Sequence, residues 1–578
     1  MKKLWKILLL ILLVAVAVLL LVCQNRALRG EDLFALFPTP TPEPTPEPTP
    51  SPTPIVYLDV YAASSGEPVT LYKADFTAAE EVARGTALTA EQNSDTEHEG
   101  VNYLKIELPG GGTGYAAADA LADSPEDVVL EQTLYVRVAA NLYVEPDALE
   151  LGALMEKETE ISVLGYDTLN EDGSVRMYHV SDGENEGWLR PWYLTRSAEE
   201  AASVYDEENQ AYHAEVGDRY GGGDAGELDY TPRDAAFTPN TEMPETCRTL
   251  YIPCYPDCIN NVDSYISVAD ECDINAFVVD ITDNTAIGYP SPLMEEMNPS
   301  NYENAYNSIE DYGAAVQALK DAGYYVIGRI ATFHDDNLAW DHPEWAISDW
   351  DGNLKREAGG YWPSPFCREA WTYKVSLALE AVELFGFDEI QFDYVRFPDG
   401  TYDSEQNDTI DFKNAYGESK AQGIQRFLMY AADVLHEHGI WVSGDVFGET
   451  SNAYVAPYGQ YWPAMSNVLD AISAMPYPDH YNSEGSWNPW EHPYDILSIF
   501  GEGASYRQTE CPTPAAVRTW IQCYDSIKSP KVYYYADNVG AEIRALYDHG
   551  LTGGFITWNA GGDWARYRDC EEAFNIDP

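Results

Sequence analysis

The pattern of hydrophobic and polar positions divides the 578-residue chain into stretches of different character. Near the start, residues 7 to 23 form an uninterrupted apolar run that three lysines precede. A run of this length with a positive flank predicts an uncleaved transmembrane anchor over residues 1–30. The predicted location is the cell membrane, single-pass, with the bulk of the chain extracellular and facing the cell wall. A cleaved signal peptide is the alternative, although Val22 is a poor match to the small residue that cleavage prefers.

A proline-rich segment follows the apolar run. Proline occupies every second position from Pro38 to Pro54, with threonine, glutamate or serine between. Such a sequence has no apolar residues with which to build a core, so it predicts an extended, semi-rigid spacer over residues 31–54.

Two stretches of short alternating runs, residues 55–125 and 129–197, predict small all-β domains. The second opens with LYVRVAANLYVEP at residues 134–146 and closes with a Gly-Trp-Leu run and then a Trp-Tyr-Leu run. These features resemble bacterial SH3-like domains, and the first stretch resembles a degenerate copy. The resemblance implies contact with cell-wall peptidoglycan, and a role as plain spacers is the alternative. Polar and acidic residues 198–245 then predict a linker.

From residue 246 onward the pattern changes to strands that alternate with helices. Apolar runs fit strands at residues 249–253, 276–281, 325–331, 389–395, 440–446, 471–475, 520–524 and 554–558. Eight strands with intervening helices predict a (β/α)8 TIM barrel over residues 246–578. The predicted fold class is therefore α/β, with two SH3-like domains and a transmembrane helix before the barrel. A doubly wound open sheet is the alternative, but no glycine-rich phosphate-binding fingerprint follows the first strand.

The charge balance restricts the partners of the protein. Lysine and arginine number 33 against 96 aspartates and glutamates, which gives a formal net charge of −63. This argues against nucleic acid, because phosphate neutralisation needs basic residues. It favours a neutral or partly cationic glycan over a polyanion. The 15 tryptophans and 42 tyrosines suit stacking on sugar rings, although most of them must fill cores.

Polar and aromatic residues gather at the predicted carboxyl ends of the strands, where TIM barrels carry their chemistry. Asp393 follows the fourth strand, and Asp445 and Glu449 follow the fifth; these three are the candidate catalytic residues. The candidate substrate-binding residues at strand ends are Asp280, Arg329, His334, Tyr394, Arg396, Tyr477, Asp479, His480, Trp558 and Asn559.

A carboxylate pair flanked by aromatic residues is the equipment for cleaving glycosidic bonds. One acid protonates the leaving oxygen while another attacks or activates water. On this chemistry we assign Asp393 as nucleophile or base and Asp445 as acid, with Glu449 in reserve. Arg396 or Arg329 is expected to keep one carboxylate ionised, while a drier environment keeps the other protonated. A structural ion pair between Asp393 and Arg396 is the alternative.

Four motifs resemble those of a glycoside hydrolase family of bacterial TIM barrels that was first catalogued as a domain of unknown function. They are FDYVRFP at residues 392–398, VSGDVFG at 442–448, MPYPDHY at 475–481 and GFITWNA at 554–560. Gly444 stands where the family usually has alanine, and Asp479 where it usually has serine. The resemblance covers nearly the whole barrel and implies a carbohydrate substrate, whereas the catalytic roles rest on the chemistry of carboxylate pairs.

The predicted function is a membrane-anchored extracellular glycoside hydrolase that cleaves a cell-wall or exported polysaccharide. No cofactor or metal is predicted, because the C-x3-C pair of Cys254 and Cys258 has no second pair or histidine cluster to complete a zinc site. A non-catalytic glycan-binding or wall-organising barrel is the first alternative. A metal-dependent deacetylase or phosphodiesterase that uses His334 or His480 is the second.

Overall fold

The computed structural model describes residues 2–29, 55–63, 68–130, 133–170, 174–203, 217–233 and 237–578. The predicted proline-rich spacer lies outside these residues, and so do residues 204–216 and 234–236 of the predicted linker. All structural statements below concern the described residues.

The amino-terminal helix α1 spans Lys2–Leu28. Within the described part of the chain, however, no helix is both long and apolar enough to cross a membrane. The predicted transmembrane helix is therefore wrong, and with it the predicted single-pass location in the cell membrane. The prediction weighed the apolar run by itself, whereas the helix that forms continues past this run into polar residues at both ends.

A first antiparallel sheet follows, with strand order β3-β2-β7-β6-β4-β1-β8 and with β5 paired to β6. Alternate side chains of its strands, such as Leu71, Leu88 and Ile106, are buried together in a core of their own. The strands are β1 Tyr57–Ala62, β2 Val69–Tyr72, β3 Ala78–Val82, β4 Ala87–Glu91, β5 Thr96–His98, β6 Val101–Glu107, β7 Thr113–Ala117 and β8 Leu121–Ala122.

Helix α2, Pro125–Leu130, leads into a second antiparallel sheet with strand order β11-β10-β14-β13-β12-β9-β15. Helix α3, Ala198–Ala202, follows this sheet. The strands of the second sheet are β9 Thr133–Val136, β10 Ala140–Tyr143, β11 Leu151–Met155, β12 Glu160–Tyr166, β13 Tyr178–Ser181, β14 Glu186–Leu189 and β15 Leu194–Thr195.

The third sheet is a parallel barrel. Strands β23 and β24 are two pieces of one chain segment that are separated by Arg518; β23 pairs with β22 and β24 pairs with β25, so the sheet closes around eight positions. The strands are β16 Cys247–Ile252, β17 Ala276–Asp283, β19 Tyr325–Ala331, β20 Glu389–Asp393, β21 Trp441–Phe447, β22 Ala471–Met475, β23 Ala516–Val517, β24 Thr519–Gln522 and β25 Gly554–Trp558, with β18 Ala286–Ile287 as a short antiparallel partner of β17.

Helices cover the outside of the barrel and occupy its loops. The longest, α10 and α12, flank β20 in the chain. The helices are α4 Pro256–Ile259, α5 Val262–Ala269, α6 Pro292–Met297, α7 Pro299–Glu303, α8 Ile309–Asp321, α9 Asp336–Asp341, α10 Arg368–Phe385, α11 Tyr402–Gln406, α12 Lys420–Glu437, α13 Trp462–Ser466, α14 Pro493–Gln508, α15 Ala536–Asp548, α16 Trp564–Arg568 and α17 Glu571–Phe574.

Strand β20 shows how the barrel orients its side chains. Phe392 faces outward, and its ring centre lies 5.3 Å from that of Phe427 on α12. The alternate residues face inward, because successive side chains of a strand point to opposite sides. Glu389 forms an ion pair with Arg518 inside the barrel, and the Gln391 amide nitrogen lies 3.2 Å from the Ser473 hydroxyl. Asp393 is the next inward residue and opens on the carboxyl end of the barrel.

The second sheet lies against the barrel helices. The Arg368 side chain of α10 donates to the Asn141 amide oxygen over 2.9 Å, and the Tyr430 hydroxyl of α12 donates to the carbonyl of Leu149 over 2.9 Å. Buried residues of this sheet and of the barrel form one continuous hydrophobic cluster. The contact is therefore made of core packing as well as polar bonds.

Candidate active site

Arg329 is the centre of the carboxyl end of the barrel. Parallel register sets Arg329 on β19 beside Asp280 on β17, and it sets Ala331 beside Asp393 on β20. The Arg329 guanidinium, which is 2% exposed, donates from Nη1 to Asp280 Oδ1 over 2.6 Å and from Nη2 to Asp393 Oδ2. Asp283 lies 3.6 Å from Nη2. One cation thus binds the acids of two neighbouring strands.

Asp445 on β21 is the deepest carboxyl of this cluster. Its Oδ1 accepts a hydrogen bond from the Trp520 indole over 2.8 Å, while its Oδ2 lies 3.8 Å from Arg329 Nε. In the described chain, neither Oδ2 nor Nε has a hydrogen-bond partner. Burial, and after it the negative charge of Asp393, raises the pKa of Asp445 well above its ordinary value.

Asp280 also has a perturbed carboxyl. It accepts a hydrogen bond from the Tyr251 hydroxyl in addition to the bond from Arg329. Burial raises the pKa of Asp280 to about 7, although the Arg329 charge opposes this rise. The cluster therefore contains carboxyls that hold protons with different strength, which is the condition for dividing acid and base roles.

Asp393 stands where β20 ends and the chain turns. Its Oδ1 accepts the backbone N–H of Tyr394 over 2.5 Å. Tyr394 has a φ of 50°, in the left-handed region that a residue with a large side chain rarely adopts. Strain of this kind persists where surrounding structure imposes it, and it clusters at functional sites. The turn holds the Asp393 carboxyl over the centre of the barrel.

A cleft of about 660 Å³ opens above this cluster. Asp393 and Arg329 form part of its base, and Trp520, Trp558 and Tyr477 give it an aromatic floor. The ring centres of Tyr477 and Trp558 are 6.4 Å apart, and the Arg329 guanidinium lies 5.8 Å from the Trp558 ring. The Tyr477 and Trp558 rings are inclined by only 26°, while the Trp520 ring stands at 86° to Trp558. Aromatic faces beside a carboxylate suit a sugar ring, which has apolar faces and hydroxyl edges.

Glu449 lies on the wall of the same cleft, in a short 3-10 turn that follows β21. The side chain is exposed, and its Oε1 accepts a hydrogen bond from the Tyr458 hydroxyl over 2.5 Å. Burial raises the pKa of Tyr458, so this hydroxyl keeps its proton and remains a donor. The cleft therefore presents three carboxyls to a substrate, Asp393 on its base and Asp399 and Glu449 on its wall.

Arg396 forms another part of the wall, inside a cage of aromatic rings. Its guanidinium lies 4.5 Å from the Phe447 ring, 4.9 Å from Trp362 and 5.4 Å from Tyr394. It also pairs with Asp399 over 3.2 Å. The predicted alternative of an ion pair between Arg396 and Asp393 is not what the structure contains, because Arg329 is the residue that pairs with Asp393.

His480 borders the cleft and is held by Asp479. The fully buried Asp479 carboxylate lies 2.9 Å from His480 Nδ1 and accepts from the Tyr524 hydroxyl over 2.9 Å and from the Ile527 backbone over 3.0 Å. Burial works against the charged form, but these hydrogen bonds outweigh it and lower the pKa of Asp479. The imidazole is thereby oriented with Nδ1 toward Asp479.

Four of the predicted substrate-binding residues do not line the cleft: Asp280, Asp479, His334 and Asn559. His334 stacks on Trp362 with ring centres 4.6 Å apart, behind the wall, and burial lowers its pKa. Asn559 shapes the loop after β25, where its amide donates to the carbonyl of Asp563 over 3.3 Å. In the described chain, no group of three or more histidine, cysteine, aspartate or glutamate side chains is placed to hold a metal ion.

Several residues of the site were not selected from the sequence. Tyr251 binds Asp280, Trp520 binds Asp445, and Tyr458 binds Glu449. Tyr251 and Trp520 lie inside predicted strands, and only the inward or outward direction of each strand separates such residues from core aromatics. Tyr458 reaches Glu449 from a loop, for which the sequence carries no periodic signal.

The barrel sequence matches a family model described as "Putative glycosyl hydrolase domain" over residues 250–564. No curated protein matches the chain.

Several solved structures are similar to parts of the chain. A hypothetical protein from Ruminiclostridium thermocellum ATCC 27405 is similar at 32% identity, over 34% of this chain and 97% of that chain, with a TM-score of 0.28. A chitobiase from Flavobacterium johnsoniae is similar at 14% identity, over 57% of this chain and 48% of that chain, with a TM-score of 0.37. The C-terminal domain of a "putative chitinase" from Desulfitobacterium hafniense DCB-2 is similar at 12% identity, over 57% and 99%, with a TM-score of 0.37.

Proposed function

The chain belongs to the family described as "Putative glycosyl hydrolase domain", and from this premise we propose that it hydrolyses the glycosidic bonds of a polysaccharide in the cleft above Asp393. The family and the enzyme class predicted from the four sequence motifs are thereby confirmed. The observation that carries the proposed reaction is the pairing of Asp393 with Arg329 at the base of an aromatic-lined cleft.

Asp393 has the surroundings of an anionic nucleophile or base. It receives a guanidinium hydrogen bond on one oxygen and a backbone N–H on the other, and both interactions favour the charged carboxylate. A second carboxyl is required to protonate the leaving oxygen. Asp445 and Glu449, at the end of the neighbouring strand β21, are the two carboxyls that can take this role.

The charges of the cleft favour a substrate without acidic groups. Both of its arginines already have carboxylate partners, since Arg329 pairs with Asp280 and Asp393, and Arg396 pairs with Asp399. A uronate would find no free cation among the lining residues, whereas the exposed carboxylate of Asp399 attracts an amino sugar. We therefore expect a neutral or amine-bearing glycan to be the preferred substrate.

The first experiment measures sugar release by the full chain from chitin, partially deacetylated chitin, neutral α- and β-glucans and polygalacturonate. Asp393→Asn is expected to lower the rate by about 100-fold or more, because it removes the group that supplies the electron pair. Glu383→Gln, on the exposed face of α10, is the control for a carboxyl-to-amide change outside the cleft.

Release from at least one glycan, lost in Asp393→Asn and kept in Glu383→Gln, supports hydrolysis. Binding without release by the parent, with equal binding by Asp393→Asn, identifies a glycan receptor and overturns the proposed reaction. Preference for polygalacturonate overturns the proposed substrate class. Glycan contact through the two amino-terminal sheets, and the domain boundaries drawn around them, stay predictions.

A further inference from the structure

The two carboxyls at the end of β21 differ in their access to a substrate, and the inference that follows rests on the proposed hydrolysis. The Asp445 side chain is 0% exposed and lies under the Arg329 guanidinium. Glu449 is exposed and lines the same cleft as Asp393. A general acid must come within hydrogen-bond reach of the glycosidic oxygen, and this criterion precedes any argument from acidity.

We propose that Glu449 donates the proton to the glycosidic oxygen, and that Asp445 is a positioning residue that keeps its own proton throughout the reaction. This assignment reverses the one made from the sequence, where Asp445 was the acid and Glu449 the reserve.

The surroundings of Asp445 disfavour a negative charge. Its Oδ1 has one neutral donor, the Trp520 indole, and its Oδ2 has no partner in the described chain. The nearest cation is Arg329, whose Nη groups are already bound to Asp280 and Asp393. A buried carboxylate without a partner is costly, so the proton stays on Asp445. A neutral Asp445 does not compete with Asp393 for the Arg329 charge. Arg329 can therefore hold the Asp393 carboxylate in place, and this is the positioning role of Asp445.

The surroundings of Glu449 suit a carboxyl that exchanges protons. Tyr458 binds Oε1, which leaves Oε2 to carry the proton. The turn around it is fixed, because the Thr450 hydroxyl donates to the carbonyl of Phe447 over 2.7 Å and the Asn452 amide donates to the carbonyl of Glu449 over 2.8 Å. The Phe447 and Tyr458 rings, 5.1 Å apart, form an apolar wall beside it. A sugar bound there excludes water from the carboxyl, which favours its protonated form.

The proposed step balances in protons and electrons. The glycosidic C–O bond breaks and its electron pair goes to the leaving oxygen, which takes the proton from Glu449. Asp393 supplies the electron pair for the anomeric carbon, either directly or by removing a proton from the water that attacks it. In the direct case, Glu449 regains its proton from the water that later releases the glycosyl group from Asp393. In the other case, Asp393 passes its new proton to solvent and Glu449 takes one back.

The test separates a proton donor from a positioning residue by the acidity of the leaving group. Aryl glycosides of the glycan that the parent cleaves fastest are compared, with phenols that range from poor to good leaving groups. Glu449→Gln is expected to lose about 100-fold or more with poor leaving groups and far less with good ones, because a good leaving group needs no proton. The Glu449→Gln variant is also expected to lose the alkaline limb of its pH profile.

Asp445→Asn is expected to lower the rate by one common factor for every leaving group, because asparagine resembles the neutral carboxyl but does not reproduce its position fully. Tyr458→Phe is expected to lower the rate with poor leaving groups, since it removes the hydrogen bond that orients the Glu449 carboxyl. Glu383→Gln is the control, and circular dichroism verifies the fold of each variant.

The outcomes distinguish a failure of the proposed hydrolysis from a failure of the assignment of Glu449 as proton donor. No hydrolysis by the parent on any glycan refutes the proposed function itself. Hydrolysis by the parent with a Glu449→Gln variant that matches it on poor leaving groups refutes only the donor assignment. A steep leaving-group dependence in Asp445→Asn makes Asp445 the donor instead. Because Glu449 is exposed, its variant gives a decision even if Asp445→Asn fails to fold.

Discussion

Replacing Asp280 with asparagine should change how the stability of the barrel depends on pH. The Asp280 carboxyl is buried at the end of β17, where it accepts hydrogen bonds from Arg329 and from the Tyr251 hydroxyl. Burial is the main cause that raises its pKa from the ordinary 3.8 to about 7, and the neighbouring Asp283 charge adds to the rise. Arg329 donates to Oδ1 and Tyr251 to Oδ2, so asparagine keeps an acceptor for one of these two hydrogen bonds and removes the titration.

The sign and size of the effect follow from proton linkage. The folded chain binds the Asp280 proton more tightly than the unfolded chain, so this contribution to stability is complete below pH 3.8 and is lost as the pH rises toward about 7. A difference between 3.8 and about 7 corresponds to about 4 kcal/mol, because each pKa unit is worth about 1.4 kcal/mol. Over this range the parent should therefore lose up to about 4 kcal/mol more than the Asp280→Asn variant.

Urea unfolding, followed by tryptophan fluorescence between pH 4 and pH 8, measures the difference. The free energy of unfolding of the parent should fall faster with pH than that of Asp280→Asn, and the two curves should run parallel above the upper end of the range. Asp569→Asn, an exposed change on the barrel surface, is the control and should reproduce the slope of the parent. Equal slopes in the parent and in Asp280→Asn would show that Asp280 is ionised throughout and would refute the reasoning.

Three further changes test other parts of the barrel. Glu389→Gln leaves the buried Arg518 charge without its counterion and should cost about 3–5 kcal/mol in urea unfolding, and a cost below 1 kcal/mol would contradict a true ion pair. Phe392→Ala removes a fully buried ring that packs on Phe427 and should cost about 3–5 kcal/mol; a smaller loss would mean that the outer face of β20 collapses into the space. Trp558→Ala should raise KM for the preferred glycan more than it lowers kcat, and a loss confined to kcat would argue against a sugar on this ring.

The sequence predicts the barrel because its information is periodic. Apolar runs place every strand within a few residues, and the inward direction of Gln391 and Asp393 follows from alternation alone. The end of β20 is less predictable. The prediction continues the strand to residue 395, whereas the observed strand ends at Asp393, because Tyr394 enters the left-handed region and turns the chain. Propensity does not foresee this turn, since tyrosine is a strand former.

The residues of the site also divide into those that strand periodicity predicts and those that it does not. Asp280, Arg329 and Asp393 meet because parallel register sets strand ends side by side, which a correct strand order already implies. The sequence left Arg329 and Arg396 open as the partner of Asp393; Arg396 is closer in sequence but turns away into its aromatic cage. His334 and Asn559 follow their strands in loops, and the direction of a loop side chain depends on contacts that have no period.

Strand β20 carries two inward acids whose surroundings explain why one is structural and the other available for chemistry. Glu389 is matched by both Nη groups of Arg518, at 2.8 and 3.1 Å, and by the hydroxyls of Tyr325 and Ser443.

Asp393 lies four residues further along β20 and shares the Arg329 guanidinium with Asp280. One oxygen of the nearby Asp445 has no hydrogen-bond partner in the described chain. A carboxylate with both oxygens matched gains nothing from a ligand, whereas an under-neutralised cluster changes its protonation when charge develops above it. We therefore expect the chemistry of this barrel at the carboxyl end of its strands, where the buried carboxyls are not fully neutralised.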